Sequence, residues 1–362
     1  MIEDARIFSA HEKTDLPYRL LLSAAYYLWW AVISIYRFYY SKAPPCGGFL
    51  IWIMIIHQQD ASLLTRVKRL GEQVGHTPLV RIKNLFQKNG IELWAKQEWK
   101  QLSGSVKCRP AYRIILDAIE KGELHEGNTL LDATSGNTGI AYATIGAALG
   151  IRIALCLPEN ASKERKDILH SLGAEIIFTS KYEGTDGAQA VAAELAASYP
   201  QKYFYANQYV NDNNWKAHYH TTALEIISDL PHVTHFVCGL GTTGSFVGTG
   251  RRLREIAPHV RLISFQPDSA LHGLEGWKHL ETAVIPRIYD PQLADDSIEI
   301  TTEEAYVVVK EAARYEGLLL SPSSAANLAG ALKMIDRLEE GKIVTLLPDN
   351  ADKYSEIINK II

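Results

Sequence analysis

The chain has 362 residues, a hydrophobic share of 47% and a formal net charge of −4, so it can bury a sizeable core and its length suggests two domains. The near-neutral charge gives no electrostatic reason to expect a nucleic-acid partner. Its four cysteines lie far apart without a C-x-x-C pair, so we expect neither a metal site nor a disulfide framework, and a reducing cytoplasmic setting is the default.

The first segment, residues 1–57, differs from the rest and is expected to be a hydrophobic extension. Residues 20–36 carry no charge, and their length is at the short limit for a helix that spans a membrane. Three interpretations stay open: a membrane anchor within residues 20–56, a helix that packs on the main body, or a segment outside the functional protein. We favour the third, with Met54 as the start, because the sequence after Met54 has the pattern of one complete soluble unit.

From Gly75 onward, short apolar runs alternate with helical patterns. Strands are predicted over residues 92–99, 129–134, 152–158, 174–179, 235–241, 260–267 and 342–349. Helices are predicted over residues 109–121, 140–149, 164–172 and 246–256. Strands that alternate with helices indicate an α/β fold with a mostly parallel sheet covered on both faces. In such sheets, binding sites lie at the carboxyl ends of the strands.

The first loop rich in glycine and hydroxyls, residues 102–110, places Lys107 where a helix is predicted to start. The positive end of a helix dipole disfavours a protonated amine. A neutral lysine amine is the nucleophile that Schiff-base chemistry requires. Taken alone, however, this pattern is more often an ordinary surface lysine.

The second loop, residues 134–139, has the sequence TSGNTG between a predicted strand and a predicted helix. Its backbone N–H groups, with the hydroxyls of Thr134, Ser135 and Thr138, suit a group the size of a carboxylate. The alternative interpretation is a turn with a simple hydroxyl cap.

The third loop, residues 239–245, has the sequence GLGTTGS and also joins a strand to a helix. Glycines let the backbone approach a phosphate, and Thr242, Thr243 and Ser245 add hydroxyl donors. No Gly-Lys-Ser/Thr follows, and no acidic residue stands about 20 positions later. A nucleotide-binding oxidoreductase is therefore disfavoured.

Together these features resemble the cysteine synthase/cystathionine β-synthase family, which are β-replacing pyridoxal 5′-phosphate (PLP) enzymes of fold type II. The resemblance covers residues 75–354 and is carried by GHTPLVRI, GSVKCR, SGNTG, GTTGS, EGLLLSPSSAA and LLPDNADKY. It implies two open, mostly parallel sheets with helices on both faces. It also implies a PLP-dependent unit over residues 58–362, with a smaller subdomain at about 105–215 inserted in the larger one.

The resemblance further implies a role for each motif residue. Lys107 would hold PLP as a Schiff base and move the Cα proton, Asn137 would bind the 3′-oxygen, and Ser323 would face the pyridine nitrogen. The 5′-phosphate would bind to Gly241, Thr242, Thr243, Gly244 and Ser245. The carboxylate of the amino-acid substrate would bind to Thr134, Ser135, Thr138 and Gln208.

The implied reaction is synthesis of L-cysteine from O-acetylserine or O-phosphoserine and sulfide, or another sulfur donor, through an α-aminoacrylate. A serine beside the pyridine nitrogen suits rapid loss of a β-substituent, because it does not stabilise a protonated ring. A rival is β-elimination or dehydration of serine, threonine or cysteine-type substrates, although TSGNTG favours replacement. A non-catalytic binding protein is disfavoured by Lys107, Asn137 and Ser323. The family also implies a homodimer.

Some positions depart from the family pattern. Cys108 stands where aspartate is usual, and we expect it to be a small buried residue. The segment 270–280 lies where the family varies the mouth of its site. His272, Lys278 and His279 are candidates for meeting an anionic leaving group such as phosphate, and a solvated loop is the alternative.

Overall fold

The computed structural model describes residues 62–134 and 136–361. The predictions for residues 1–57, including the membrane-anchor interpretation, lie outside the described residues. Within the described ranges, no helix combines the length and the apolar character that crossing a bilayer requires.

The described residues form ten strands and eleven α-helices. The strands are β1 Leu79–Ile82, β2 Ile91–Gln97, β3 Thr129–Ala133, β4 Arg152–Pro158, β5 Glu175–Thr179, β6 Tyr203–Tyr205, β7 His235–Gly239, β8 Arg261–Pro267, β9 Asp296–Ile300 and β10 Gly341–Leu347. The helices are α1 Leu63–Gly71, α2 Cys108–Glu120, α3 Asn137–Leu149, α4 Lys163–Ser171, α5 Gly184–Ser198, α6 Asn213–His220, α7 Thr222–Asp229, α8 Gly244–Ile256, α9 Thr302–Glu311, α10 Pro322–Asp336 and α11 Ser355–Ile361. Short 3₁₀ turns cover Glu98–Lys100 and Ala351–Lys353, and a π-helical turn covers Ala312–Glu316.

The strands form two sheets in the described part of the chain. The larger has the order β1-β2-β10-β7-β8-β9, and the smaller has the order β5-β4-β3-β6. All neighbouring pairs are parallel except β1 with β2. In the centre of the larger sheet, Val344 pairs with Trp94 on one side and Phe236 on the other. The predicted α/β architecture of two mostly parallel sheets is therefore confirmed.

Helices cover both faces of the larger sheet. On one face, α9 and α10 pack through Val308 and Leu328 into a core that includes Phe265. On the other face, α7 and α8 pack through Ile226 and Phe246. Strands buried on both sides need continuous apolar runs, which is why such strands are readily predicted from sequence.

The smaller sheet is formed by residues that lie between β2 and β7 in the chain. Every residue of β3 is buried, and cores lie on both of its faces. The smaller sheet is thus an insertion in the larger one, and the predicted limits of that subdomain, about 105–215, stay a prediction. Parallel strands of both sheets end beside one cavity, which is where a binding site is expected.

Candidate functional site

A cavity of about 510 Å³ lies at the carboxyl ends of β3, β4, β7 and β10. Its volume is in the usual range for small-molecule sites. The cavity brings together most of the predicted site residues, which are Lys107, Thr134, Asn137, Thr138, Gln208, Gly241, Thr242, Thr243, Ser245 and Ser323. Gly244 lies in the same loop but is not among the lining residues, and Ser135 lies outside the described residues.

Among the helices of the described chain that begin at the wall of this cavity are α2, α3, α8 and α10. The first four N–H groups of a helix have no partner within it, and the helix dipole makes that end positive. These helix ends therefore favour anionic groups, such as a phosphate or a carboxylate, in the cavity.

Lys107 caps the first turn of α2 and extends its amine into the cavity. Its Nζ lies 3.4 Å from Thr242 Oγ1 in the loop after β7. Burial lowers the pKa of the Lys107 amine to about 8, although nearby Cys238 and Asp349 oppose this shift. The structure thus places a cation with weakened proton affinity where the sequence predicts a nucleophile.

A buried ion network anchors the helix turn that carries Lys107. Arg109 is buried, and its guanidinium donates to both oxygens of the Glu98 carboxylate at 2.8 and 2.9 Å. A second carboxylate, Glu225, accepts from Arg109 Nη2 at 2.8 Å. Burial alone would raise the pKa of Glu98, but the charge and hydrogen bonds of Arg109 outweigh it and lower that pKa. Charge-assisted bonds of this kind fix direction as well as position.

Neighbouring residues closely approach the backbone of the loop before α8, which leaves little room for larger side chains there. A Cβ at Gly241 would lie 2.0 Å from the Gly276 carbonyl oxygen. Thr243 adopts a left-handed conformation with φ of 67°, and its buried Oγ1 has no hydrogen-bond partner among the described atoms. Because buried hydroxyls are normally paired, this orphaned group indicates a ligand.

Ser245 follows in the first turn of α8, and its Oγ lies 3.4 Å from His218 Nε2. Burial lowers the pKa of His218 to about 3. The imidazole is therefore neutral at physiological pH and adds no positive charge beside the loop.

A second polar pocket lies on the smaller-sheet side of the cavity. Thr138 Oγ1 donates to Gln208 Oε1 at 2.7 Å, and Gln208 Nε2 donates to the Ala133 carbonyl at 3.2 Å. The Gly136 amide donates to Thr134 Oγ1 at 3.2 Å. These bonds fix the orientation of the hydroxyl and amide groups around the start of α3.

Asn137 and Ser323 both contact Asp349, a buried acid for which the sequence predicts no role. Asn137 Nδ2 donates to Asp349 Oδ2 at 2.8 Å, and Tyr354 Oη donates to the same oxygen at 2.6 Å. Ser323 Oγ lies 3.2 Å from Ser321 Oγ and 3.5 Å from Asp349 Oδ1. Asp349 and Tyr354 belong to the closing motif LLPDNADKY, and that motif was the available signal for them.

Ion pairs lie at the mouth of the cavity. Arg165 of α4 pairs with Glu275, and its guanidinium lies 5.1 Å from the ring centre of Tyr354. Lys278 pairs with Asp186 of α5 at 3.6 Å. No sequence pattern points to Arg165, whereas Glu275 lies in the mouth segment 270–280 that the sequence indicates.

Two of the three mouth residues that the sequence singles out line the cavity, namely Lys278 and His272. The third, His279, is not among the described lining residues, and its Nδ1 lies 2.9 Å from Thr282 Oγ1 in an exposed turn. Cys108 is fully buried, as expected for a small core residue.

Known proteins are similar to this chain in sequence and in fold. A family model described as pyridoxal-phosphate dependent enzyme matches residues 70–349. A cysteine synthase of Aquifex aeolicus (strain VF5) is 42% identical over 313 residues, which cover 84% of this chain and 95% of that protein.

Two solved structures are also similar. An O-ureido-L-serine synthase has a TM-score of 0.75 at 31% identity, with coverage of 83% of this chain and 95% of that one. An O-acetylserine dependent cystathionine beta-synthase from Helicobacter pylori has a TM-score of 0.75 at 32% identity, with coverage of 79% and 96%. The chain therefore belongs to the pyridoxal-phosphate dependent enzymes of fold type II, in the cysteine synthase/cystathionine β-synthase family, and its cofactor is PLP.

Proposed function

We propose that this protein catalyses β-replacement and makes L-cysteine from an activated serine and sulfide. The observation that carries the proposal is that one cavity contains the Lys107 amine, an anion-binding loop at 241–245 and a separate polar pocket at Thr138. Similar proteins are named for different products: they include cysteine synthases, an O-ureido-L-serine synthase and a cystathionine beta-synthase. The choice of sulfide as the nucleophile is therefore part of the proposal.

The residues present fit PLP. The orphaned Thr243 hydroxyl and the side-chain-free backbone at Gly241 suit a phosphate. Lys107 would supply the amine that binds the aldehyde, Asn137 would supply a polar group for the 3′-oxygen, and Ser323 would supply one for the pyridine nitrogen. When bound, PLP supplies an electron sink that lets a β-substituent leave and a nucleophile take its place.

The chain's own residues would do the remaining work. Lys107 would hold the cofactor and then carry the proton at Cα, which its lowered proton affinity permits near neutral pH. Thr134, Ser135, Thr138 and Gln208 would bind the substrate carboxylate. The hydrogen bond from Thr138 to Gln208 keeps both groups oriented before substrate enters.

Charge at the mouth supports O-acetylserine over O-phosphoserine as the donor. Arg165 is paired with Glu275, and Lys278 is paired with Asp186. Burial lowers the pKa of His272, so this imidazole is neutral at physiological pH. A dianionic phosphate leaving group would have to break these pairs, whereas an acetyl group would not.

The same ion pairs support replacement over elimination. Both pairs join the smaller-sheet helices α4 and α5 to the loop after β8. We expect these pairs to limit water access, which would protect a reactive intermediate from hydrolysis.

The test is a purified full-length protein compared with its Lys107→Ala and Lys121→Ala variants. Lys121 lies at the exposed end of the same helix, so it is a matched control. Wild type and Lys121→Ala should show the visible cofactor band and form cysteine from O-acetylserine and sulfide, while Lys107→Ala should lose both. Pyruvate formation without cysteine would favour the eliminase, and wild type without PLP would refute the proposal. Sedimentation would test the predicted homodimer.

A further inference from the structure

Asp349 is a buried carboxylate that the proposed mechanism does not use. It follows β10 by two residues and has no exposed surface. It is not among the described residues that line the cavity. Burying a carboxylate costs free energy unless its oxygens accept hydrogen bonds. The groups that donate to Asp349 therefore indicate its role.

Three side chains that line the cavity donate to this carboxylate. Its Oδ2 accepts from Asn137 at 2.8 Å and from Tyr354 at 2.6 Å, and its Oδ1 accepts from Ser323 at 3.5 Å. The donors come from the start of α3, from the first turn of α10 and from the segment before α11. One carboxylate thus connects both sheets to the C-terminal segment.

The backbone of Asp349 is fixed independently of its carboxylate. Ser324 Oγ donates to the Asp349 carbonyl at 2.6 Å and accepts from the Asp349 amide at 3.2 Å. Ser321 Oγ donates to the same carbonyl at 3.3 Å. A change confined to the carboxylate therefore leaves these backbone anchors in place.

We propose that Asp349 is a positioning residue that orients Asn137, Tyr354 and Ser323 toward the ligand cavity. This role rests on the proposed function, because that function assigns Asn137 and Ser323 to the cofactor. Carboxylate oxygens accept hydrogen bonds, so Asn137 and Tyr354 must each turn a donor toward Asp349. The amide nitrogen of Asn137 is consequently held inward, which fixes the direction of its carbonyl oxygen.

The Asp349→Asn substitution keeps the size of the side chain but exchanges an acceptor for a donor. At least one of the three groups then loses its acceptor, and the remaining bonds lose their charge assistance. Asp349 also acts on the Lys107 amine, because its negative charge favours the protonated form. Removing that charge should make Lys107 easier to deprotonate.

The experiment compares full-length wild type with Asp349→Asn, Tyr354→Phe, the double variant and Asp352→Asn. Asp352 is an exposed carboxylate in the same segment, bonded to Asn350 at 2.7 Å, and is the matched control. The measurements are the dissociation constant of PLP for the apoprotein, the pH midpoint of cofactor attachment, and the melting temperature.

We expect PLP to bind about tenfold more weakly to Asp349→Asn and about threefold more weakly to Tyr354→Phe, as for the loss of one charge-assisted bond. In the double variant, PLP binding should weaken by less than the product of the two single effects, because Asp349 and Tyr354 are partners in the same hydrogen bond. The attachment midpoint should move to lower pH in the two variants that carry Asp349→Asn, and not in Tyr354→Phe or Asp352→Asn. A merely structural role would lower the melting temperature and leave the PLP dissociation constant of the folded protein unchanged.

The outcomes distinguish a failure of the proposed function from a failure of the positioning role. A wild type that binds no PLP overturns both the proposed function and this role. A wild type that binds PLP, with an unchanged dissociation constant in Asp349→Asn, overturns the positioning role alone, even if the midpoint moves, because the midpoint reports only the loss of charge near Lys107. If Asp349→Asn does not fold, an unchanged dissociation constant in Tyr354→Phe overturns it.

Discussion

The lowered proton affinity of Lys107 predicts a specific pH dependence for cofactor attachment. Only the neutral amine attacks the aldehyde of PLP. Burial lowers the pKa of this amine from 10.5 to about 8, so neutral amine accumulates as the pH rises and is nearly complete one unit above that value.

The size of the effect follows from the two pKa values. With a pKa of about 8, roughly 9% of the amine is neutral at pH 7, about half at pH 8 and about 90% at pH 9. An ordinary lysine would be about 0.03% neutral at pH 7 and would gain about tenfold with each pH unit up to pH 9. The attachment rate should therefore rise about fivefold from pH 7 to 8 and less than about twofold from pH 8 to 9.

The assay mixes the apoprotein with excess PLP and follows the growth of the visible band between pH 7 and 9.5. The PLP phosphate is at least about 90% doubly ionised over this range, because its second pKa is about 6. Lys107→Ala supplies the baseline for PLP that binds without attachment. A rate that keeps rising about tenfold per pH unit to pH 9.5 would show that the amine is not perturbed, and the reasoning from burial would fail.

Three further substitutions test separate parts of the site. Gly241→Ala places a Cβ against the Gly276 carbonyl, so the loop must shift. We expect PLP to bind at least about tenfold more weakly in a fluorescence titration. Unchanged affinity would contradict the assignment of this loop to the phosphate. Arg109→Met leaves the Glu98 carboxylate buried without its cation, which should lower the free energy of unfolding in urea by about 3–5 kcal/mol. Arg337 forms an exposed ion pair with Asp296 and serves as the control. Arg337→Met should lower the free energy of unfolding by less than about 1 kcal/mol. Equal losses in the two variants would refute the stabilising role of the buried pair. Gln208→Ala removes the partner of Thr138 and should raise the KM for O-acetylserine about tenfold with the cofactor band intact; a change in kcat alone would count against carboxylate binding.

The interior strands could be predicted from sequence because they are continuous apolar runs. The prediction for residues 152–158 coincides with β4, and that for residues 129–134 differs from β3 by one residue. Three strands gave no such signal: β1, β6 and β9. All three lie at sheet edges, where one side of the strand has no neighbour and burial leaves a weaker pattern, as in the mostly exposed β9.

The loops of the site were visible in the sequence, but the helix starts were placed too late. The predicted helices at residues 140 and 246 begin at Asn137 and Gly244. Glycine, asparagine and threonine have low helix propensity, so the apolar period does not begin until after the first turn. Tertiary packing, such as the close contact between Gly244 and Asn214, stabilises these turns instead.

Contacts between distant parts of the chain could not be predicted from any local pattern. Arg165 and Glu275 are 110 positions apart, and Asn137 and Asp349 are 212 positions apart. Both pairs join the smaller sheet to the larger one, so they depend on how the two sheets are arranged. The closing motif indicated that Asp349 belonged to a functional segment, but its partners required the fold.

Backbone groups at helix starts provide partial positive charge around the cavity that does not depend on protonation. Lys107 is partly neutral and His218 is neutral near physiological pH, while Arg165 and Lys278 are each paired with an acid. Helix starts such as those of α2, α3, α8 and α10 are therefore the elements that we expect to bind anions, and their dipoles need no proton to act. This arrangement separates binding from chemistry: fixed dipoles can hold the anionic groups of cofactor and substrate, while the one amine with weakened proton affinity is left to gain and lose protons.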